Sequence, residues 1–405
     1  MSYRANNLKN ALHGFFLSVA TTVAEPSTIL PLIIHHFSSS LIVVGLFTAL
    51  LRGGAIIVQL FAAFYAQSYN RVMPYLRIVF FFRFFSWFLI GLAIFLFGDE
   101  HKKLTLWLIG IGLFLFSFSA GFGGIYFKEI IAKVFTKKER GITMANRQLF
   151  SSLGAVLSGG VAGWVLSRFE APMSYAYLFM ISSFLMALGL AAFATVKEPP
   201  KKSVSKRERS FLDFLKNAYA LFISDRRLRL QVVISLMGYA FLLSLPFIIL
   251  KAKESFALTG WLVGGFITIQ MIGSMAGNLF LWKRFVHRYI RMIQLSYLLM
   301  IVAFCIALFA SLPWHYVAVF FLFGVAIDGF RNSDMNLILE IAPEEKRPVY
   351  VAIQSTLTSV GVFFSVPGGW IVETAGYTVL YLISVLLLAI GIYMAERLQK
   401  FSGFI

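Results

Sequence analysis

The first apolar segment of the chain contains a carboxylate and a helix-breaking proline in the middle of its length. Residues 22–34 read TVAEPSTILPLII, in which Glu25 directly precedes the proline. Thr21, Glu25 and Thr28 stand at i, i+4 and i+7, which places them on one stripe of a helix. An ionisable side chain in lipid costs at least about 2.5 kcal/mol and therefore usually faces a cavity or a charged partner. Glu25 is thus a candidate for proton exchange or ligand binding, and a structural ion pair with Arg52 or another cation is the alternative interpretation.

The next apolar segment carries a cation on a small and polar face. Gly45, Arg52 and Gln59 follow each other at heptad spacing and share one side of a helix. Arg52 in this position could bind an anionic ligand, or it could simply neutralise Glu25. The spacing favours both interpretations equally.

The densest group of charges inside an apolar segment is AIDGFRNSDMN, residues 326–336. Asp328 and Arg331 are i, i+3 neighbours, and so are Arg331 and Asp334, so this helix can hold its own salt bridge. Asp328 lies near the middle of the segment, whereas Asp334 approaches its end. The group predicts a ligand or proton site at Asp328 and Arg331 with Asp334 at a gate, or else a structural ion pair.

Two further segments carry stripes of small and polar residues that begin at Gln270 and at Gln354. Small residues permit helices to approach closely, so both stripes favour packing, while the two glutamines are candidate hydrogen-bond partners of a solute. Arg83, in the third segment, is predicted to be a snorkelling or interhelical structural residue. His35 and His36 are predicted to be solvated rather than metal ligands.

The elements that must position these residues are membrane helices. The chain has 405 residues, of which 59% are hydrophobic and 13% charged, whereas a soluble domain carries about 25% charged residues. Crossing the hydrocarbon takes about 20 apolar residues in a helix, and the apolar runs are too long for barrel strands. The predicted fold is all-α integral membrane with twelve transmembrane helices. These spans cover roughly 11–36, 41–66, 75–97, 105–127, 143–167, 173–195, 230–251, 259–282, 292–311, 315–338, 349–372 and 376–396.

The basic residues that give the chain its net charge of +18 are distributed unevenly between the two sides of the predicted membrane. Most of the 36 lysines and arginines share one side if both termini are cytoplasmic, which is the positive-inside pattern. The pattern predicts a multi-pass protein of the cell inner (plasma) membrane, and it makes nucleic acid an unnecessary partner for the charge. The single cysteine, Cys305, excludes intrachain disulfides and cysteine-based metal sites.

The longest connection, 197–229, begins KEPPKKSVSKRERS, which is typical of a solvated linker. The stretch FLDFLKNAYALF that follows predicts an amphipathic helix on the cytoplasmic surface. Its apolar face consists of Phe211, Phe214, Leu215, Ala218 and Phe222. The predicted domains are an N-terminal six-helix bundle over 1–196, the linker with its amphipathic helix over 197–229, and a C-terminal six-helix bundle over 230–405.

The two predicted bundles repeat each other in sequence. LPLII at Leu30 matches LPFII at Leu245, and FTKKERG before MANRQ matches APEEKRP before VAIQS. Arg147 and Gln354 open matching stripes 207 residues apart. The repeat predicts two pseudo-symmetric halves in parallel orientation. Glu25 has no acidic counterpart in the second half.

With twelve spans, a division into six plus six, a basic middle loop and internal termini, the chain resembles the major facilitator superfamily (MFS) of secondary transporters over nearly its whole length. That family's loop between spans 2 and 3 often reads G-x-x-x-D-R-x-G-R-R/K. Here the loop reads AQSYNRVMPY, in which Arg71 matches but Ala66 and Asn70 replace the glycine and the aspartate. The resemblance implies a cavity between the halves that opens alternately to each side, with Arg71 in a gating loop. The Gly-Pro motif of many antiporters is absent from span 5.

No G-x-x-x-x-G-K-[ST] motif and no hydrolase signature occur, so the chain is predicted not to be an enzyme and to need no cofactor or metal. We expect a secondary active transporter of a small solute, and Arg52 and Arg331 favour an anionic or zwitterionic metabolite. H⁺ is the expected coupling ion, with Na⁺ as the alternative, because a buried carboxylate near a cation can take up and release a proton.

Two other functions remain open from the sequence. One is proton-driven efflux of lipophilic drugs, which suits the aromatic-rich spans. The other is a non-transporting membrane sensor or scaffold, which would need a large partner-binding region. In each case the expected partners are the lipid bilayer and, for a transporter, a small-molecule substrate, with the chain acting as a monomer.

Overall fold

The structure, a computed structural model, describes residues 3–23, 25, 27–66, 69–200, 211–285, 288–343 and 347–402, and these residues form helices and short connections without a strand. The α-helices are, in chain order, α1 (Tyr3–Thr22), α2 (Ile29–Phe37), α3 (Leu41–Ala66), α4 (Met73–Phe97), α5 (Lys102–Val134), α6 (Lys137–Arg168), α7 (Met173–Ala194), α8 (Phe211–Ser224), α9 (Arg226–Gly238), α10 (Ala240–Ser255), α11 (Gly260–Ala276), α12 (Tyr289–Phe309), α13 (Pro313–Ile341), α14 (Arg347–Thr358) and α15 (Ser365–Ser402). A π-helical turn (Gly277–Leu281) and a 3₁₀ turn (Trp282–Phe285) follow α11, and a second 3₁₀ turn (Ser359–Phe364) joins α14 to α15.

The helices are long and apolar enough to cross a membrane many times. Among the described residues, nine helical segments meet that description by length and composition. The last of them, Val349–Phe401, has 53 residues, enough for two crossings, and Gly376 interrupts it with φ 81° and ψ 171°. Glycine adopts this positive φ at little cost, so the chain can turn there. With the broken first span and α3, these segments fit the twelve predicted crossings.

The first span is broken at its middle, as its sequence predicts. α1 ends at Thr22 and α2 begins at Ile29. Within the gap the backbone N–H of Glu25 donates to the Thr22 carbonyl at 3.1 Å, and the N–H of Thr28 donates to the Glu25 carbonyl at 3.2 Å. Turns of this kind satisfy the backbone groups that the helix ends leave unpaired. The proline at position 26 lies outside the described residues.

The chain forms two compact units, which are described separately. Unit 1 comprises Met1–Ser39, Phe47–Arg207 and Thr259–Thr268; unit 2 comprises Ser40–Leu46, Glu208–Leu258 and Ile269–Ile405. In unit 1, α1 packs against α6 and α7, and α4 packs against α5 and α7. In unit 2, α9 and α10 pack against α15, and α12 packs against α13 and α15. The same two pairings therefore recur in both units. The first span of each unit packs against its last (α1 on α7, and α9 and α10 on α15), and the third packs against the fourth (α4 on α5, and α12 on α13).

One carboxylate caps the first turn of α9 in unit 2. Asp225 precedes α9 and accepts hydrogen bonds from the backbone N–H groups of Arg227 (2.8 Å) and Leu228 (3.3 Å) and from the Tyr350 hydroxyl (2.5 Å). Burial works to raise the pKa of Asp225, but these hydrogen bonds outweigh it and hold the pKa below its usual value. α8 precedes this cap as a helix, but most side chains of its predicted apolar face lie outside the described residues.

Candidate functional site

Asp328 is the centre of a polar cluster between α11 and α13 in unit 2. Its carboxylate accepts hydrogen bonds from the Ser274 hydroxyl and from Asn278 Nδ2, the latter at 2.7 Å. Asn278 Oδ1 in turn accepts from Asn332 Nδ2 at 3.0 Å. All of these donors are neutral, and none of the described ion pairs includes this half-buried carboxylate.

α11 and α13 approach closely enough for these hydrogen bonds because Gly324 lies where the two helices cross. A Cβ atom at Gly324 would lie 1.9 Å from the carbonyl oxygen of Gln270, so any larger residue would separate the helices. α11 ends at Ala276, and Asn278 belongs to the π-helical turn that follows. The Trp282 indole closes the turn by donating to the Val325 carbonyl at 3.1 Å. π-Helical turns inside helices occur frequently at functional sites.

Asp334 forms a second neutral cluster two turns further along α13. Its carboxylate accepts from Gln231 Nε2 at 2.8 Å, from Gln354 Nε2 at 3.0 Å and from the Ser235 hydroxyl. Gln231, Ser235 and Gln354 are all buried. α9, α13 and α14 therefore meet around one carboxylate whose partners carry no charge.

The salt bridge within α13 that the sequence allows is not formed. Arg331 is exposed and, among the described ion pairs, is joined to neither Asp328 nor Asp334. Both aspartates turn instead to neutral donors that neighbouring helices hold in place. Such donors are already ordered by packing, whereas a long arginine side chain loses conformational entropy when it is fixed in an ion pair.

Glu25 and Arg52 both lie in unit 1. Glu25 is half-buried in the gap between α1 and α2, where its Oε1 accepts from the Ser27 hydroxyl at 3.2 Å. Its backbone carbonyl accepts from Thr28 and Leu30. The described contacts of Glu25 do not include Arg52, which is half-buried in α3. The pairing of these two residues therefore stays a prediction.

The remaining predicted site residues occupy different surroundings. Gln270 is buried in α11, one turn before Ser274 of the Asp328 cluster, and Gln354 belongs to the Asp334 cluster. Arg71 is exposed in the connection between α3 and α4. The structure thus brings Gln354 and Asp334 together.

Sequence reasoning missed the carboxylate that stabilises the loop around Arg71. Glu198, which follows α7, accepts from the backbone N–H groups of Val72 (2.9 Å) and Met73 (2.7 Å) and from Lys133 Nζ (2.5 Å). It therefore caps the first turn of α4, next to the position where the family motif places an aspartate and this chain has Asn70. The signal in the sequence is the glutamate of KEPPK, which stands within a stretch whose prolines and charges predict a solvated linker.

His36, near the end of α2, contacts a carboxylate. His36 Nε2 lies 2.9 Å from Asp99 Oδ1, and Lys102 Nζ lies 3.4 Å from the same oxygen. No group of three or more His, Cys, Asp or Glu side chains that could hold a metal ion occurs among the residues described. His36 is therefore paired rather than simply solvated.

Comparison with known proteins places this architecture in a family. The family model of the Major Facilitator Superfamily matches residues 11–365 and 230–400. No curated protein matches the sequence at a significant level.

Solved transporter structures have the same fold. A variant of the nucleoside transporter NupG is 14% identical with a TM-score of 0.75, and the match covers 97% of this chain and 99% of that one. A bacterial homologue of the iron transporter ferroportin, in its inward-facing state, is 12% identical with a TM-score of 0.75, covering 98% and 99%. A D-xylose–proton symporter is 15% identical with a TM-score of 0.72, covering 98% and 97%. The chain belongs to the Major Facilitator Superfamily and is a membrane transporter rather than an enzyme.

Proposed function

We propose that this transporter moves a small solute by alternating access and couples that movement to protons through Asp328. The observation that carries the proposal is the set of partners around this carboxylate, which are the neutral side chains of Ser274 and Asn278. A carboxylate held by neutral donors can gain or lose a proton without breaking an ion pair. Proton relays inside membranes are built from such intramembrane acids.

Asp334 is the second candidate for proton exchange. It lies on the same helix and also has only neutral described partners, but they come from α9 and α14. A change in its charge would therefore alter the contact between three helices. This geometry suits a gate better than a loading site, and we assign Asp334 to gating together with Arg71.

The exposed guanidinium of Arg331 supports an anionic or zwitterionic solute. It lies one turn from Asp328 on α13 and, among the described contacts, forms an ion pair with neither aspartate of that helix. The three related structures are named for nucleoside, iron and xylose–proton transport. Their solutes differ while their fold is shared, so the solute must be assigned from this chain's own side chains. Glu25, Arg52, Gln270 and Gln354 remain further candidates for substrate or coupling roles.

The proposed location is the inner (plasma) membrane with both termini in the cytoplasm, and the proposed functional form is a monomer. The support is the concentration of lysine and arginine on one side of the spans. Proton-driven efflux of lipophilic drugs is the alternative transport function. It would show export of hydrophobic cations in place of uptake of charged metabolites.

The test is transport by purified protein in proteoliposomes. An imposed pH gradient should drive accumulation of at least one anionic or zwitterionic metabolite from a library, relative to vesicles without a gradient. Asp328→Asn should reduce gradient-driven accumulation by about tenfold or more while solute exchange at equal pH persists, because only coupling needs the titrating group.

The matched control is Asp99→Asn, which changes an exposed aspartate at the outer end of α4. It should transport like the wild-type protein. Equal gradient-driven accumulation in the Asp328→Asn and wild-type proteins would remove Asp328 from coupling. Efflux of lipophilic cations without any metabolite uptake would favour the drug-efflux function.

A further inference from the structure

A buried histidine and an arginine meet in unit 1 without an acidic partner. Arg147 of α6 donates from Nη1 to His13 Nδ1 of α1 at 2.8 Å, and its guanidinium lies 4.7 Å from the centre of the Phe127 ring of α5. His13 is only 3% exposed. Its imidazole packs among the rings of Phe80, Phe127 and Phe193, with centroid distances of 5.6, 5.5 and 5.0 Å.

The hydrogen bond fixes the tautomer of His13. A guanidinium can only donate, so Nδ1 must be the acceptor, and the proton of the neutral imidazole must then lie on Nε2. The Nε2 atom is buried and has no hydrogen-bond partner among the described residues. Buried donors in proteins normally have an acceptor, so this N–H points to a bound group that accepts a hydrogen bond.

A second unpartnered donor lies on the neighbouring helix. Arg83 stands one turn after Phe80 on α4, and therefore on the same side of that helix. Its guanidinium lies 4.6 Å from the centre of the Phe116 ring, and its Nε atom is buried without a hydrogen-bond partner. Two cations and an N–H donor are thus concentrated around the Phe80 face of the bundle.

The surrounding helices supply no carboxylate to balance these cations. α1, α4 and α7 contain no aspartate or glutamate at all. Glu129 of α5 pairs with Lys133 at 3.6 Å, and Glu139 of α6 accepts from the Thr136 backbone N–H and hydroxyl at 2.9 and 2.8 Å. Among the described ion pairs, therefore, no carboxylate pairs with Arg83 or Arg147, which leaves this charge to a ligand from outside the chain.

The corresponding junction of unit 2 shows what is missing. Gln354 lies 207 residues after Arg147, and Asp334 lies 207 residues after Phe127. In unit 2 the carboxylate of Asp334 accepts from Gln354 and Ser235. In unit 1 a phenylalanine ring stands at the carboxylate's position, while His13 Nε2 and Arg83 Nε are buried without a hydrogen-bond partner among the described residues.

We infer that the junction of α1, α4 and α6 binds a small monovalent inorganic anion of the halide class. The anion accepts from the Nε2–H of His13, and the positive charge of Arg147 on the opposite ring nitrogen, together with Arg83, stabilises it. The ring wall formed by Phe80, Phe127 and Phe193 favours a weakly hydrated monatomic anion over a strongly hydrated polyatomic one. This site is independent of Asp328 and of proton coupling.

The test is the thermal stability of the purified full-length protein in sodium chloride and in sodium gluconate at constant ionic strength. Chloride should raise the Tm saturably, by about 2–4 °C, because a ligand that binds only the folded state stabilises it. His13→Phe, which keeps the aromatic packing, and Arg147→Gln should lose this rise. Arg168→Gln, at the exposed end of α6, should retain it.

A measurement on the wild-type protein keeps the inference testable if both variants fail to fold. Crystals grown in bromide should show an anomalous peak within hydrogen-bond distance of His13 Nε2. An anomalous peak confined to other positions would overturn the inference. So would a Tm that does not depend on chloride, which would show that water alone occupies the site, or an undiminished chloride effect in both variants.

Discussion

At the scale of single residues, the carboxylates of α13 are held by what neighbouring helices offer and not by their own helix. Asp334 accepts from Gln231, Ser235 and Gln354, whereas Arg331 one turn before it remains exposed. The cost of losing such a carboxylate is then set by the buried donors that it leaves behind.

Replacement of Asp334 tests this account. Asp334→Ala should destabilise unit 2 by about 3 kcal/mol, because it leaves buried donors on Gln231, Ser235 and Gln354 without an acceptor. Asp334→Asn keeps one acceptor oxygen and should cost clearly less. Denaturant unfolding of the purified protein in detergent measures both. Equal losses for the two variants would show that charge, and not hydrogen bonding, determines the stability of this cluster.

The sequence predicts which residues carry chemistry better than it predicts their partners. Glu25, Asp328 and Asp334 stand out because charge in an apolar segment is costly. Spacing along one helix, however, only reveals neighbours on that helix, so it suggested Arg331 as a partner for both aspartates. The actual donors come from α9, α11 and α14, at sequence separations that a single sequence does not connect.

At the scale of helices, two positions decide how elements are held together. Glu198 joins the end of α7 to the first turn of α4 and to Lys133 of α5, and its side chain is 1% exposed. Gly324 sets the distance between α11 and α13 at the Asp328 cluster. Substitution of Glu198 should therefore affect the stability of unit 1, and substitution of Gly324 should affect the packing of α11 against α13.

Glu198→Ala should destabilise unit 1 by about 3 kcal/mol, because it removes the nearer counter-ion of the half-buried Lys133, leaving only Glu129 at 3.6 Å, and removes the acceptor for two backbone N–H groups. The double variant with Lys133→Ala should recover part of this loss. The measurement is a double-mutant cycle by denaturant unfolding.

The matched control for that cycle is the exposed pair of Glu396 and Lys400, at 2.7 Å on α15. Glu396→Ala should leave the unfolding midpoint unchanged, because exposed ion pairs contribute little to stability. Strict additivity of the Glu198→Ala and Lys133→Ala effects would contradict a direct interaction between the two side chains.

Gly324→Ala should force α11 and α13 apart, since the new Cβ would lie 1.9 Å from the Gln270 carbonyl oxygen. Overpacking of this kind costs about 1–3 kcal/mol, and it should also impair gradient-driven transport by displacing Ser274 from Asp328. Gly265→Ala, on the same α11 but with open space at its Cβ, is the control. Similar unfolding midpoints and transport rates for the two variants would contradict the close-approach argument.

The helices themselves were largely predictable, because length and hydropathy alone define a span. The break in the first span also followed from Glu25 and its neighbouring proline. The π-helical turn at Gly277–Leu281 was not predictable, because nothing in the stretch GNLFL distinguishes it from ordinary helix. The turn depends on tertiary contacts such as the Trp282 bond to the Val325 carbonyl.

At the scale of the whole molecule, the two repeated units share one helix arrangement but carry side chains of opposite charge where equivalent helices meet. Beside Phe127 of α5, the proposed anion-binding junction holds Arg147 of α6 and His13 of α1, whereas Asp334 of α13 stands at the equivalent place among α9, α13 and α14. The repeat therefore fixes where helices meet, while the side chains at the meeting points have diverged. Under the proposed function, unit 2 supplies the titrating carboxylates on α13 and unit 1 supplies a cationic junction.

The charge pattern of the whole chain predicts its orientation, and the single cysteine makes that prediction testable. Cys305→Ser gives a cysteine-free background. Lys216→Cys places a thiol on exposed α8, and Lys103→Cys places one on the exposed start of α5, on the opposite predicted side. A membrane-impermeant maleimide should label Lys103→Cys in intact cells and Lys216→Cys only in inverted vesicles, because loops rich in lysine and arginine stay in the cytoplasm. Labelling of both positions from the same side would contradict the three crossings, α5, α6 and α7, that the twelve-span arrangement places between positions 103 and 216.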